Sequence, residues 1–124
     1  MKRYSMPIVS TLAVLIAGPA SADTLEFVCD FPRQATDEGV ASQDFGMTFV
    51  VDTVSGDAFI KGNNGVAPVA VLRGDFAVTF LETLDSGAVQ TTTVADTGEA
   101  VHSRHTILGG SVMSPSQNYG TCEW

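Results

Sequence analysis

The stretch AVHSRHTIL, residues 100–108, places two histidines and an arginine within nine residues that otherwise read as a β-strand. Imidazole and guanidinium groups can ligate a metal, move a proton or hold an anion, and their spacing decides which of these is open. His102 and His105 are three positions apart, so on a strand of period two they face opposite sides and cannot share one metal ion without a bulge. No cysteine or carboxylate cluster supplies the remaining ligands, and neither a metal nor another cofactor is expected. Ser103 adjoins both histidines, but neighbours on a strand point to opposite faces, and the G-x-S-x-G elbow of serine hydrolases does not occur. Asp96-Thr97-Gly98 spells a tripeptide known from aspartic proteases, yet it occurs once and in a turn context. Paired carboxylates for glycoside chemistry would have to share a cleft, and only Glu82 falls on a face with apolar company. The expectation is a protein that is not an enzyme.

What remains is a polar row that the strands must bring together. After residue 22 no segment sustains a 3.6-residue apolar period for three turns, whereas short β-branched and aromatic runs recur between glycine-bearing turns. Strands are expected at Leu25–Asp30, Phe45–Thr53, Asp57–Lys61, Val66–Arg73, Asp75–Leu84, Ala88–Ala95, Glu99–Leu108 and Tyr119–Glu123. Polar loops are expected at Pro32–Asp44 and around Ser114-Pro115-Ser116. This is an all-β pattern: one domain, residues 23–124, folded as an antiparallel meander into a small eight-stranded barrel or a strongly curled sheet.

The turns set a register. Val54-Ser55-Gly56, Asp85-Ser86-Gly87 and Asp96-Thr97-Gly98 each place glycine third, as a three-residue hairpin loop requires, and Asn64-Gly65 fits a type I′ turn. The second and third loops set Glu82 opposite Gln90, Phe80 opposite Thr92, Gln90 opposite Arg104 and Thr92 opposite His102. One face then carries Phe76, Val78, Phe80, Leu84, Val94 and Leu108 with Glu82, Gln90, His102 and Arg104. Thr79, Leu81, Thr91, Thr93, Ser103 and His105 take the other. Glu82 and Arg104 read either as a structural ion pair in apolar surroundings or as a row at a barrel mouth. In the second case Arg104 would hold a carboxylate or phosphate, Glu82 and Gln90 would orient it, and His102 would add pH sensitivity near neutrality.

Lys2 and Arg3, an apolar run from about Met6 to Ala17 and the small-residue box Ala20-Ser21-Ala22 have the form of a signal peptide, residues 1–22, cleaved after Ala22. The expected location is periplasmic or secreted. The remaining 102 residues hold four basic and fourteen acidic side chains, a net charge of −10. Such a balance argues against nucleic acid or an anionic membrane as partner. Cys29 and Cys122 are the only cysteines, and in an oxidising compartment they read as a disulfide tying first strand to last.

This layout, with Phe27-Val28-Cys29 ending an early strand, a Ser86-Gly87 turn within a meander and a final Cys122, resembles the small periplasmic inhibitors of C-type lysozyme. The resemblance implies an eight-stranded barrel with a terminal disulfide and a Ser-Gly-x-x-Tyr loop that enters the lysozyme cleft. Here that motif reads Ser86-Gly87-Ala88-Val89-Gln90, with Gln90 in the place of the tyrosine. The functional expectation is a non-catalytic binding or inhibitor module, acting as a monomer on a periplasmic or extracellular protein or a small ligand. The alternative is a structural or envelope-maintenance protein without a discrete ligand site. Tyr119 and Phe45 are the aromatic candidates for a contact surface, although each reads more readily as core.

Overall fold

The computed structural model describes residues 23–63 and 65–124. Among these residues nine antiparallel strands follow one another: β1 (Thr24–Thr36), β2 (Gly39–Ser42), β3 (Gly46–Asp52), β4 (Ala58–Gly62), β5 (Gly65–Arg73), β6 (Ala77–Thr83), β7 (Val89–Ala95), β8 (Glu99–Leu108) and β9 (Val112–Glu123). From β3 to β9 each strand pairs with the next, and β9 returns to β1, closing an eight-stranded barrel in which β2 extends one side of β1. Closure removes the unpaired edges that an open sheet of this length would expose.

Two connections fall where the glycines require. Asp85-Ser86-Gly87 and Asp96-Thr97-Gly98 are three-residue loops, with Gly87 at φ +88° and Gly98 at φ +92°, a region that side-chain-bearing residues rarely adopt. The β3–β4 connection is longer than the sequence reading had it. Val51 pairs with Ala58 and the Asp52 N–H donates to the Asp57 carbonyl (2.8 Å), so the loop holds residues 53–56 and not three. The Asp52 carboxylate accepts from the Val54 and Ser55 amides (2.9 and 3.1 Å), which favours the wider turn and holds its pKa below the usual carboxylate value. The Asn64-Gly65 turn is also displaced by one position: Gly62 pairs with Gly65, so Gly65 is a strand residue, while Asn64 lies outside the described residues.

Three expected boundaries are corrected. The Pro32–Asp44 segment is no loop: β1 runs on to Thr36 and folds back as β2, with Arg33 opposite Ser42 and Thr36 opposite Gly39. The residues around Ser114-Pro115-Ser116 belong to β9, where Pro115 pairs with His105. Phe76, placed on the inner face by its strand assignment, stands in the β5–β6 turn and is 76% exposed. The missed end of β1 and the missed start of β9 each contain a proline, and β2 is only four small or β-branched residues long, a composition that marks a loop unless pairing partners override it.

The barrel closes at a tight seam. Cys29 lies directly opposite Cys122 with their Cα atoms 4.0 Å apart, and the disulfide joins them across a sequence separation of 93. Beyond it the β1–β9 register slips between Asp30 and Arg33, so Phe31 and Pro32 together face Gly120. Pro32 has no N–H to pair, and the bulge is where a strand tolerates that lack. Phe31 turns fully inward there, its N–H bonded to the Phe45 carbonyl (2.8 Å). A Cβ on Gly120 would lie 1.8 Å from the Asp30 carbonyl oxygen, so only glycine admits this approach.

Inside, Phe49 stacks on Phe80 (centroids 4.2 Å apart) and Phe80 meets the edge of Phe27 (5.4 Å). Met47, Val51, Ala58, Val94 and Ala100 fill the space around them. The outward face carries Thr79 and Thr93, whose hydroxyls bond across the strands (2.8 Å), as their register demands.

The seam generates a quantitative expectation. Gly120→Ala should lower unfolding free energy by at least about 3 kcal/mol, because backbone must move to admit one methyl group. Gly109→Ala, in the β8–β9 turn with open space around it, should cost only about 1 kcal/mol for its left-handed backbone. Chemical denaturation of the two oxidised variants measures the contrast, and equal losses would refute the steric account. Removing the bridge with Cys29→Ala and Cys122→Ala should cost about 4 kcal/mol on the loop-entropy model.

Candidate functional site

The register places Glu82, Gln90 and Arg104 in one row across β6, β7 and β8, with Glu82 opposite Gln90 and Gln90 opposite Arg104. Two residues along each strand, on the same face, Phe80, Thr92 and His102 form the layer beneath, all at most 1% exposed. Three of the four sequence-derived candidates therefore sit together at one end of the barrel, lining a cavity of 630 Å³. Its remaining walls include the apolar Phe45, Met47, Ile60, Val66 and Leu84 and the polar Asn63. The fourth candidate, His102, is not at the mouth.

His102 is instead a buried scaffold residue. Its Nδ1 lies 2.6 Å from the Thr92 hydroxyl and its Nε2 lies 3.1 Å from the Arg104 Nε–H. Guanidinium nitrogen can only donate, so Nε2 must accept and Nδ1 must carry the proton and donate to Thr92. Thr92 in turn passes its hydroxyl proton toward the Met47 sulfur (3.8 Å). The ring is flanked by Phe31 (5.9 Å) and Phe45 (5.7 Å). Asn118 donates to the His102 carbonyl (3.4 Å) and accepts from the Gln43 amide. Burial and the charge of Arg104 push the His102 pKa down to about 4. The expected pH sensitivity near neutrality is thus corrected: a second ring proton would have to point at a guanidinium.

Arg104 shows what that scaffold is for. Its Nε is tied to His102, and its guanidinium carbon sits 4.5 Å from the centre of the Phe45 ring, a cation–π contact. Burial pulls its pKa below the usual guanidinium value, and the negative charge of Glu82 pulls the other way. Yet Glu82 and Arg104 form no ion pair: among the described residues the only pair within 4.0 Å joins Lys61 to Glu26 (3.5 Å) on the exterior. The structural-pair reading of the row does not hold, because Gln90 and a full strand stand between the charges. The terminal N–H groups of Arg104 have no protein acceptor among the described residues, and the residue lines the cavity.

Chemically this is an oriented, half-buried cation on an aromatic floor, with a carboxylate and a primary amide beside it. Nothing in it forms a nucleophile–base pair. His105 and Ser103 face outward on β8, away from the cavity, and His105 is exposed. Gln90 also faces inward, whereas the Ser86-Gly87 turn that precedes it is exposed.

Sequence reasoning missed Phe45, Met47 and Asn118 as partners of the row, while the Thr92–His102 pairing it expects is present. Phe45 packs against the core, the reading its sequence favours over a contact surface, and forms the floor under Arg104. Asn118 fell in a segment taken for a loop. At the opposite end the exposed aromatics Phe76 and Trp124 (54% exposed) line a second cavity of 270 Å³ with Leu25, Val71 and Val78, while Phe59, also exposed, lies apart from both cavities on β4. Trp124 rests on Phe27 (5.1 Å). Tyr119 is half-buried, its hydroxyl donating to Gln117 (2.9 Å).

The imidazole carries a pH prediction. Its folded pKa lies below the ordinary value of 6.5, so the unfolded chain takes up the proton first as pH falls. The stabilisation is complete above about pH 6.5 and is lost progressively between there and about pH 4, amounting to roughly 3 kcal/mol. Nitrogen-detected NMR should show His102 neutral, with its proton on Nδ1, down to about pH 4. A midpoint near 6.5 would contradict the buried arrangement.

Comparisons with protein-family models, curated proteins and solved structures find no match to this chain, and its function has to be argued from the geometry of the site itself.

Proposed function

We propose that the chain is an exported, non-catalytic binding module that takes a small organic ligand into the cavity above His102, with Arg104 as the principal contact. The observation that supports this reading is the state of Arg104. It is held in place by His102 and Phe45, partly desolvated, and left with its terminal N–H groups free of protein acceptors. A planar guanidinium so placed matches a carboxylate or phosphate bidentately. A cavity of 630 Å³ falls within the range of about 300–1,000 Å³ common to small-molecule sites. An eight-stranded barrel is also the size that can enclose one small ligand.

The leader-like residues 1–22 support export, and a disulfide is compatible with an oxidising compartment. A lysozyme-directed inhibitor loop has less in its favour, since Gln90 stands at the tyrosine position and faces the interior. A structural role without a ligand would leave the terminal N–H groups of Arg104 without an acceptor among the described residues.

Amide NMR titration with benzoate, hexanoate and phenyl phosphate tests the reading. Shifts should concentrate at Met47, Gln90 and Arg104 and disappear in Arg104→Met. That variant should lose only about 1–2 kcal/mol of stability, for one hydrogen bond and one cation–π contact. No shift at these residues with any probe, or shifts that survive Arg104→Met, would refute the site.

A further inference from the structure

We propose that the ligand is a zwitterion with an apolar body, of the class of apolar α-amino acids and short peptides, its anionic group on Arg104 and its cationic group on Glu82. This rests on the binding role argued above and names the ligand class for the same cavity.

Two opposite charges share the cavity without forming an ion pair. Glu82 on β6 and Arg104 on β8 both line it, and β7 separates them. Two strand spacings set their backbones about 10 Å apart. Arg104 cannot lean toward Glu82 without giving up His102 and the face of Phe45, which hold its near and flat sides. Glu82 has no hydrogen-bond or ion-pair partner among the described residues. The two groups thus line one cavity without forming an ion pair, with Gln90 between them in the row.

Each simpler ligand satisfies only half of this arrangement. A lone anion would pair with Arg104 but bring its charge beside the Glu82 carboxylate, in a domain already at −10. A lone cation would pair with Glu82 and meet Arg104. Either would also bury a protein charge of its own sign against it, which is costly once water is displaced. A molecule carrying both charges a few ångströms apart neutralises both side chains at once. Gln90 lies between them in the row and can donate to the anion and accept from the cation with one amide. The body of such a ligand would meet Phe45, Met47, Ile60 and Leu84.

Calorimetric or NMR titration with L-phenylalanine and L-leucine, each beside its N-acetyl derivative and its carboxamide, tests the pairing. The free amino acid should bind at least tenfold tighter than either derivative. The isosteric Glu82→Gln should erase its advantage over the N-acetyl form, and Arg104→Met its advantage over the carboxamide. An N-acetyl form that binds as tightly as the parent, or a carboxamide that does, overturns the proposal while leaving a binding site in place. If the amino acids leave Met47, Gln90 and Arg104 unmoved while benzoate or phenyl phosphate shift them, the zwitterion fails and the binding role stands. If none of these probes shifts them, both fail.

Discussion

The seam between β1 and β9 is the constraint on which the rest of the molecule depends. A meander of short strands has two edges, and only their mutual pairing gives the barrel an inside. Three features act at the same place: the Cys29–Cys122 bridge, the β1 bulge at Phe31 and Pro32, and the bare Gly120 pressed against the Asp30 carbonyl. The bulge has a second effect. By turning Phe31 fully inward it supplies one of the rings that flank His102, so the closing geometry also builds the floor of the candidate site.

From that floor the site is assembled by a directional chain of donors. Arg104 donates to His102, His102 to Thr92, and Thr92 to the Met47 sulfur, with each acceptor inside the barrel. A buried polar chain of this kind is favourable only when each member is satisfied, and here no buried side-chain nitrogen or oxygen among the described residues lacks a partner. The chain fixes the tautomer of the histidine, and the histidine fixes the arginine. A residue that looked like chemistry in the sequence thus acts as a positioning group for its neighbour two places along.

Much of this was legible in the residues, and the exceptions have physical causes. The β6–β7–β8 register followed from two glycine loops because a positive φ at the third loop position leaves one pairing open. The β3–β4 loop broke the same rule because the Asp52 carboxylate, a local acceptor, widened it by one residue. The β1–β2 hairpin and the start of β9 were hidden by proline and small polar residues, whose strand conformation comes from their partners and not from their own preference. The row itself was visible, but not its energetics. A shared face says nothing about whether Arg104 turns toward Glu82 or stays on His102, and that choice depends on Phe45, which arrives from a distant strand boundary.

The central claim is that Arg104 is held by His102 and Phe45 and remains independent of Glu82. A double-mutant cycle with Glu82→Gln and Arg104→Met, read by chemical denaturation at neutral pH without ligand, measures that independence directly. The account predicts a coupling energy below about 1 kcal/mol. A coupling of about 3 kcal/mol or more would mean that the two charges form a buried structural pair, and would contradict it.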